Sequence, residues 1–147
     1  MKIYRITTEE WAGKLKPSGF AGRWNFEGDY VLYASEHRSL ACLENLVHRS
    51  GNPYAGKFYI TEILIPDSVI VERPSVEVLL NFRNTHGSLI VTREFGHQWY
   101  SSFRNGVLKV PSGIVPQESN YVINTRHQLF AEIRVGLIEP FELDPGI

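Results

Sequence analysis

Cysteine is nearly absent from this 147-residue chain: Cys42 is the only one. A single thiol closes no internal disulfide and offers no metal-ligand spacing, which points to a reducing compartment and a cytoplasmic protein. Long apolar runs are missing as well. No stretch approaches the roughly 20 apolar residues that a membrane-spanning helix requires. The opening MKIYRITTEEW contains no apolar segment of the secretory kind, so no leader is expected. Neither sign of charge dominates: 15 Lys and Arg stand against 16 Asp and Glu, a formal net charge of −1. The basic residues are scattered, not gathered into the stripe that phosphate-driven nucleic-acid binding uses. Neither a nucleic acid nor a membrane is therefore expected as a partner. Several familiar catalytic spacings are also missing: there is no G-x-S-x-G, H-E-x-x-H, G-x-x-x-x-G-K-[ST] or G-x-G-x-x-G. His37 and His48 lie about 16 Å apart along one helix, too far to share an ion, and no metal is expected.

What remains has ordinary globular proportions, 43% apolar and 21% charged residues. That is enough to bury a core without metal or disulfide support, so residues 1–147 are expected to form one domain. KIYRI alternates as a first strand, and Thr7 with Glu10 has the spacing of a capping box before a short helix around Trp11. Residues 17–29 form a loop rich in glycine, and YVLYA is the strand that follows. Ser35 is placed to cap a helix over EHRSLACLENLVHRS, with Gly51 as its stop. Leu40, Leu43, Leu46 and Val47 make its apolar stripe, with Glu44 at the edge.

KFYITEILI is a long strand and VIV at 69–71 a short one; SVEVLLNFR suits a helix. Thr92 could cap REFGHQWYSSFR, where Phe95, Trp99 and Phe103 recur every four residues. VLKV, NYVIN and EIRVGLIEPFEL supply the closing strands. Strands outnumber helices without alternating with them, which predicts an α+β class: a mixed or antiparallel sheet with packed helices.

The polar residues that could carry chemistry are Arg23, Tyr33, Glu44, Ser112, Asn124 and His127, and each has a plainer reading. Arg23 could cover Trp24 at the surface. Tyr33 could fill the core, Glu44 could pair with His48 on the helix surface, and Ser112 after Pro111 could be a turn residue. His127 could be a satisfied structural histidine. Spacing alone does not choose between them.

Read in order, GRWNFEGDYVLYAS, LACLENLVH, VPSGIVP and NYVIN resemble the RES domain, the toxin half of RES–Xre toxin–antitoxin systems. The likeness runs from YRIT to FELDP. The family's arginine falls on Arg23, its tyrosine on Tyr33, its glutamate on Glu44, its serine on Ser112 and its asparagine on Asn124. His127 keeps the family's histidine place, although Thr125 stands where a proline is usual, and Phe26 also replaces a frequent proline. The resemblance implies a core like that of the ADP-ribosyltransferases and NAD⁺ as a substrate, with no bound cofactor. The implied reaction breaks the bond between nicotinamide and ribose and passes ADP-ribose to inorganic phosphate, to water or to a protein. It also implies a Xre-type antitoxin as partner, with the toxin often dimeric in the complex.

The residue types suit that chemistry. Nicotinamide leaves as a neutral base and needs no general acid. One carboxylate, Glu44, can support positive charge growing on the ribose. A guanidinium such as Arg23 grips diphosphate oxygens bidentately, and Gly22 lets the backbone approach a ligand. Tyr33 can pack its ring on nicotinamide or ribose and hydrogen-bond through its hydroxyl, with Ser112 and Asn124 adding orienting hydrogen bonds. Two other readings compete: an inactive module of the same fold that binds an antitoxin, and an RNA-cutting toxin using His37, His48 or His127.

Overall fold

The computed structural model describes residues 1–47, 57–84, 89–144 and 146. One seven-stranded sheet organises the chain. Its strands are β1 (Lys2–Thr8), β2 (Val31–Ser35), β3 (Phe58–Leu64), β4 (Val71–Glu72), β5 (Val107–Pro111), β6 (Ser119–Asn124) and β7 (Arg134–Phe141). Among the described residues three α-helices join them: α1 (Arg38–Val47), α2 (Val76–Asn84) and α3 (Leu89–Ser102). The order across the sheet is β4-β5-β6-β2-β1-β3-β7. β4 runs parallel to β5 and every other pair is antiparallel. The mixed sheet of an α+β protein is therefore what forms.

Period-two alternation along the strands separates two cores. Ile3, Leu32, Ala34, Ile63, Val107, Tyr121 and Ile123 pack on one face. Val31, Leu108, Val110 and Val122 pack on the other, under Trp24, Phe82 and Trp99. α2 and α3 supply Phe82 and Trp99, and α1 lies on the same face, with the Arg38 guanidinium 4.3 Å from the centre of the Tyr4 ring.

The middle of the sheet is its weakest seam. β1 makes seven residue pairs with β3 but only one, Tyr4 with Ser35, with β2. Beyond that pair the strands part, and the gap opens beneath α1.

Several local expectations change. Thr7 belongs to β1 and its hydroxyl donates to the Thr8 carbonyl, so no capping box forms; only a single 3-10 turn, Glu9–Trp11, follows. Ser35 ends β2 instead of capping α1, whose first i→i−4 bond runs from Ala41 N–H to the His37 carbonyl. Thr92 lies one turn inside α3, because the helix starts earlier, at Leu89. The short strand sits at 71–72, where it can pair with β5, and not at 69–71. On α1 Leu40 and Ala41 are buried while Leu43 is exposed, so Ala41 takes the place expected of Leu43 in the apolar stripe, and Glu44 is half-buried one turn after Leu40. Gly51 and His48 lie outside the described residues.

Candidate active-site cleft

Each residue of GRWN has a separate task. Trp24 is 1% exposed and is stacked on Phe82 at 5.9 Å, with Phe95 edge-on at 6.4 Å. Removing a buried tryptophan typically costs about 3–5 kcal/mol, so this ring is a strong anchor for its loop. Asn25, equally buried, donates through Nδ2 to the carbonyls of Phe20, Phe26 and Asp29 and holds the loop closed. Gly22 pairs with Asn25 across the turn. A Cβ on Gly22 would come within 2.7 Å of the Tyr33 hydroxyl and the Asn25 side-chain oxygen, so only glycine fits. Between Gly22 and the Trp24 anchor, Arg23 is left half-exposed.

The loop is held from two sides. From the sheet, the Tyr33 hydroxyl accepts the Trp24 N–H at 3.0 Å and donates to Asn25 Oδ1 at 2.6 Å. Burial pushes the Tyr33 phenol well above its ordinary range, which keeps it a donor; Arg93 and Arg23 nearby oppose that shift. From α3, the Thr92 hydroxyl donates to the Arg23 carbonyl at 2.6 Å, and Arg93 Nε donates to the Gly22 carbonyl at 2.7 Å. Gly96, one turn on, lies directly against the Trp24 carbonyl. Two consecutive carbonyls are thus held by hydrogen bonds from one helix, and the third is packed against it. The Arg23 guanidinium itself lies 5.5 Å from the centre of the Phe82 ring and beside Gly113, with no carboxylate partner among the described residues.

Glu44 reaches the same space from α1. Its Oε1 accepts the Ser112 hydroxyl and the Asn120 amide, both at 2.7 Å. Ser112, fully buried, also accepts the N–H groups of Ile114 and Val115 at 3.0 and 3.1 Å. Both of its lone pairs are taken and its proton points at Glu44, so the hydroxyl is a fixed donor and not a nucleophile. Asn120 Oδ1 in turn accepts the Ser35 hydroxyl at 2.7 Å.

Two chambers meet here. One, of about 340 Å³, is lined by Gly22, Arg23, Tyr33, Glu44, Gly113 and Asn120 among others. The second, of about 220 Å³, lies at the seam between Tyr4–Ile6 and Tyr33–Ser35. Tyr33, Glu44 and Asn120 border both. Arg5 lines the second chamber, and burial lowers its guanidinium below the ordinary arginine range.

The structure therefore brings Gly22, Arg23, Tyr33, Glu44 and Ser112 together. It does not bring Asn124 or His127. Asn124 is on the same strand as Asn120 but about 13 Å further along it. There it donates to the Tyr100 carbonyl and accepts the Arg126 N–H, closing the end of β6. His127 is buried; its Nδ1 accepts the Leu129 N–H, and Nε2 has no partner among the described residues. His37, at the start of α1, is exposed and 3.7 Å from Glu36, at the opposite end of β6 from His127.

Asn120, Ser35, Thr92 and Arg93 are the cleft residues that sequence reasoning missed. The only signal for Asn120 was its place at the start of the NYVIN strand, with alternation turning it to the same face as Val122. Among the described residues no helix is long and apolar enough to cross a membrane.

A family model described as the RES domain matches residues 2–144. A "Prs ADP-ribosylating toxin" from a Sphingobium species is 37% identical over 134 residues, covering 84% of this chain and 78% of that one. A "Toxin Res" from Yersinia enterocolitica is 32% identical over 154 residues, covering 100% and 99%. In three dimensions the chain resembles a protein in the crystal structure of the M. tuberculosis MbcT–MbcA toxin–antitoxin complex. The TM-score is 0.75 at 14% identity, with 95% of this chain and 83% of the other covered. That last likeness concerns the fold.

Proposed function

The chain belongs to the RES domain family, and from that premise we propose that it is the toxin of a toxin–antitoxin pair whose cleft consumes NAD⁺. The observation that carries this reading is that Glu44 and Arg23 line the same chamber. A carboxylate held by two donors stands where two chambers meet, and a guanidinium with no acidic partner among the described residues lines one of them. The substrate has matching parts: a diphosphate for the guanidinium and, at the ribose, a centre that turns cationic.

In the proposed reaction the bond between ribose C1″ and the nicotinamide nitrogen breaks. Its electron pair leaves with nicotinamide, which departs neutral. Glu44 stabilises the oxocarbenium that remains, and a phosphate oxygen or a water oxygen closes on C1″; water then gives up a proton to solvent. Neither a metal nor a bound cofactor enters the balance. The Tyr33 hydroxyl is spent on the loop, so its ring is what it offers the substrate. Ser112 acts on Glu44 and not on the ligand. A protein acceptor is the alternative fate of the ADP-ribosyl group, in keeping with the name of the Sphingobium relative.

Arg23→Lys keeps the charge and loses the fork, and kcat/KM for NAD⁺ is expected to fall about tenfold or more. Unchanged kinetics would leave Arg23 as a residue that merely covers Phe82. The reading as a whole is tested by incubating the purified chain with NAD⁺, with and without phosphate, and resolving products by mass. Nicotinamide with ADP-ribose names water as acceptor, and the 1″-phosphate names phosphate. NAD⁺ bound but not consumed would point to an inactive binding module. The partner proposed is an antitoxin of the Xre type that covers the cleft in the cytoplasm; a complex degrading NAD⁺ as fast as the free chain would exclude that covering.

A further inference from the structure

We propose that Asn120, held from behind by Ser35, is a positioning residue that fixes the reactive Glu44 carboxylate by donating to it. This rests on the reading of Glu44 given above. Asn120 and Glu44 come from β6 and α1, 76 residues apart, and meet at 2.7 Å. An amide side chain has two faces, and only one of them can serve here. With Nδ2 toward Glu44 it donates to a carboxylate; turned over, it would set one acceptor against another. The acceptor-only carboxylate decides the orientation, and Ser35 adapts to it, since a hydroxyl can donate or accept. Ser35, 4% exposed at the one pair that bridges the seam, donates through its hydroxyl to Asn120 Oδ1 at 2.7 Å. The path Ser35 → Asn120 → Glu44 thus runs in one donor direction and converges on the oxygen that Ser112 also holds.

The charged and titratable groups lining the chambers with Glu44 are Arg23 and Tyr33 on one side and Tyr4, Arg5 and Tyr33 on the other. None of them hydrogen-bonds Oε1; among the described residues Ser112 and Asn120 do.

The test compares Asn120→Asp with Asn120→Ala. Aspartate has the shape of asparagine and still accepts from Ser35, but it presents an oxygen to Glu44 in place of the N–H. If Asn120 only fills space, Asp is the milder change. If its donor matters, Asp is the harsher one, because two carboxylates then face each other. The expected result is a kcat about 10- to 100-fold lower in Asn120→Ala with KM little changed, and a larger loss in Asn120→Asp. Ser35→Ala should lose kcat as well, and Ser35→Thr, which keeps the hydroxyl, should recover most of it. Thermal unfolding without substrate should give the same order, Asp below Ala. Asp equal to wild type or milder than Ala overturns the proposal even when Glu44→Gln is dead. A fully active Glu44→Gln would instead sink the reading of Glu44, and the unfolding order would still decide whether Asn120 donates to it.

Discussion

Glu44→Gln is expected to lower NAD⁺ turnover by at least about 10²–10³-fold, the range seen when one electrostatic contact to a transition state is removed. The structure explains why the change should be clean. Glu44 uses Oε1 as a pure acceptor for Ser112 and Asn120. A glutamine carbonyl in that place accepts both donors, so α1 keeps its seat on the sheet and the negative charge is what disappears. NAD⁺ affinity should survive for the same reason, since Arg23 and the rest of its chamber are untouched. Single-turnover kinetics with a binding isotherm separates the two effects. Turnover at the wild-type rate by a folded Glu44→Gln protein would remove the carboxylate from the mechanism.

The second large effect is expected far from the chemistry, at Gly96 in α3. A methyl group there would normally help, because alanine is favoured over glycine in a helix by about 1 kcal/mol. Here the new Cβ would fall inside the Trp24 carbonyl oxygen and 2.6 Å from its carbonyl carbon. These are backbone atoms with no rotamer to swing away, in a core already packed on Phe82 and Phe95. Overpacking of this kind costs about 1–3 kcal/mol and sometimes more, and immovable neighbours favour the upper end. The clash outweighs the propensity gain. With the propensity gain subtracted, about 2 kcal/mol remains, and Gly96→Ala should therefore lower the melting temperature by roughly 4–8 °C for a chain of this size. It should also blunt activity, since α3 must lift off the carbonyls that set Arg23. A melting temperature equal to or above wild type would show that helix and loop are not in the tight contact described.

The strands were largely legible because alternation is a local signal: Leu32 and Ala34 point one way and Val31 and Tyr33 the other, as YVLYA suggests. The polar residues were harder. Ser35, Thr7 and Thr92 all occur where a cap would be sensible, yet each hydroxyl is committed elsewhere, at Asn120, Thr8 and Arg23. A hydroxyl near a helix start looks the same whether it caps or reaches across the fold. Arg23, Tyr33, Glu44 and Ser112 were named from ordered motifs and do share one cleft. Asn120 was not, because its importance depends on a partner 76 residues away. Alternation along NYVIN places Asn120 and Asn124 on one face, but no local signal says which end of the strand lies under α1. The seam between β1 and β2 was equally invisible, since both strands read as ordinary ones and only their poor pairing with each other opens the gap.

The hold of α3 on residues 22–24 bears on how such sites should be sought and transplanted. GRWN is half of a bipartite signature whose other half is the Thr92-Arg93-x-x-Gly96 face, about 70 residues downstream. A pattern built on the first half alone will retrieve loops that own the arginine without the means of aiming it. A chimera that borrows residues 19–29 from a relative inherits the same fault unless the matching helix turn travels with them.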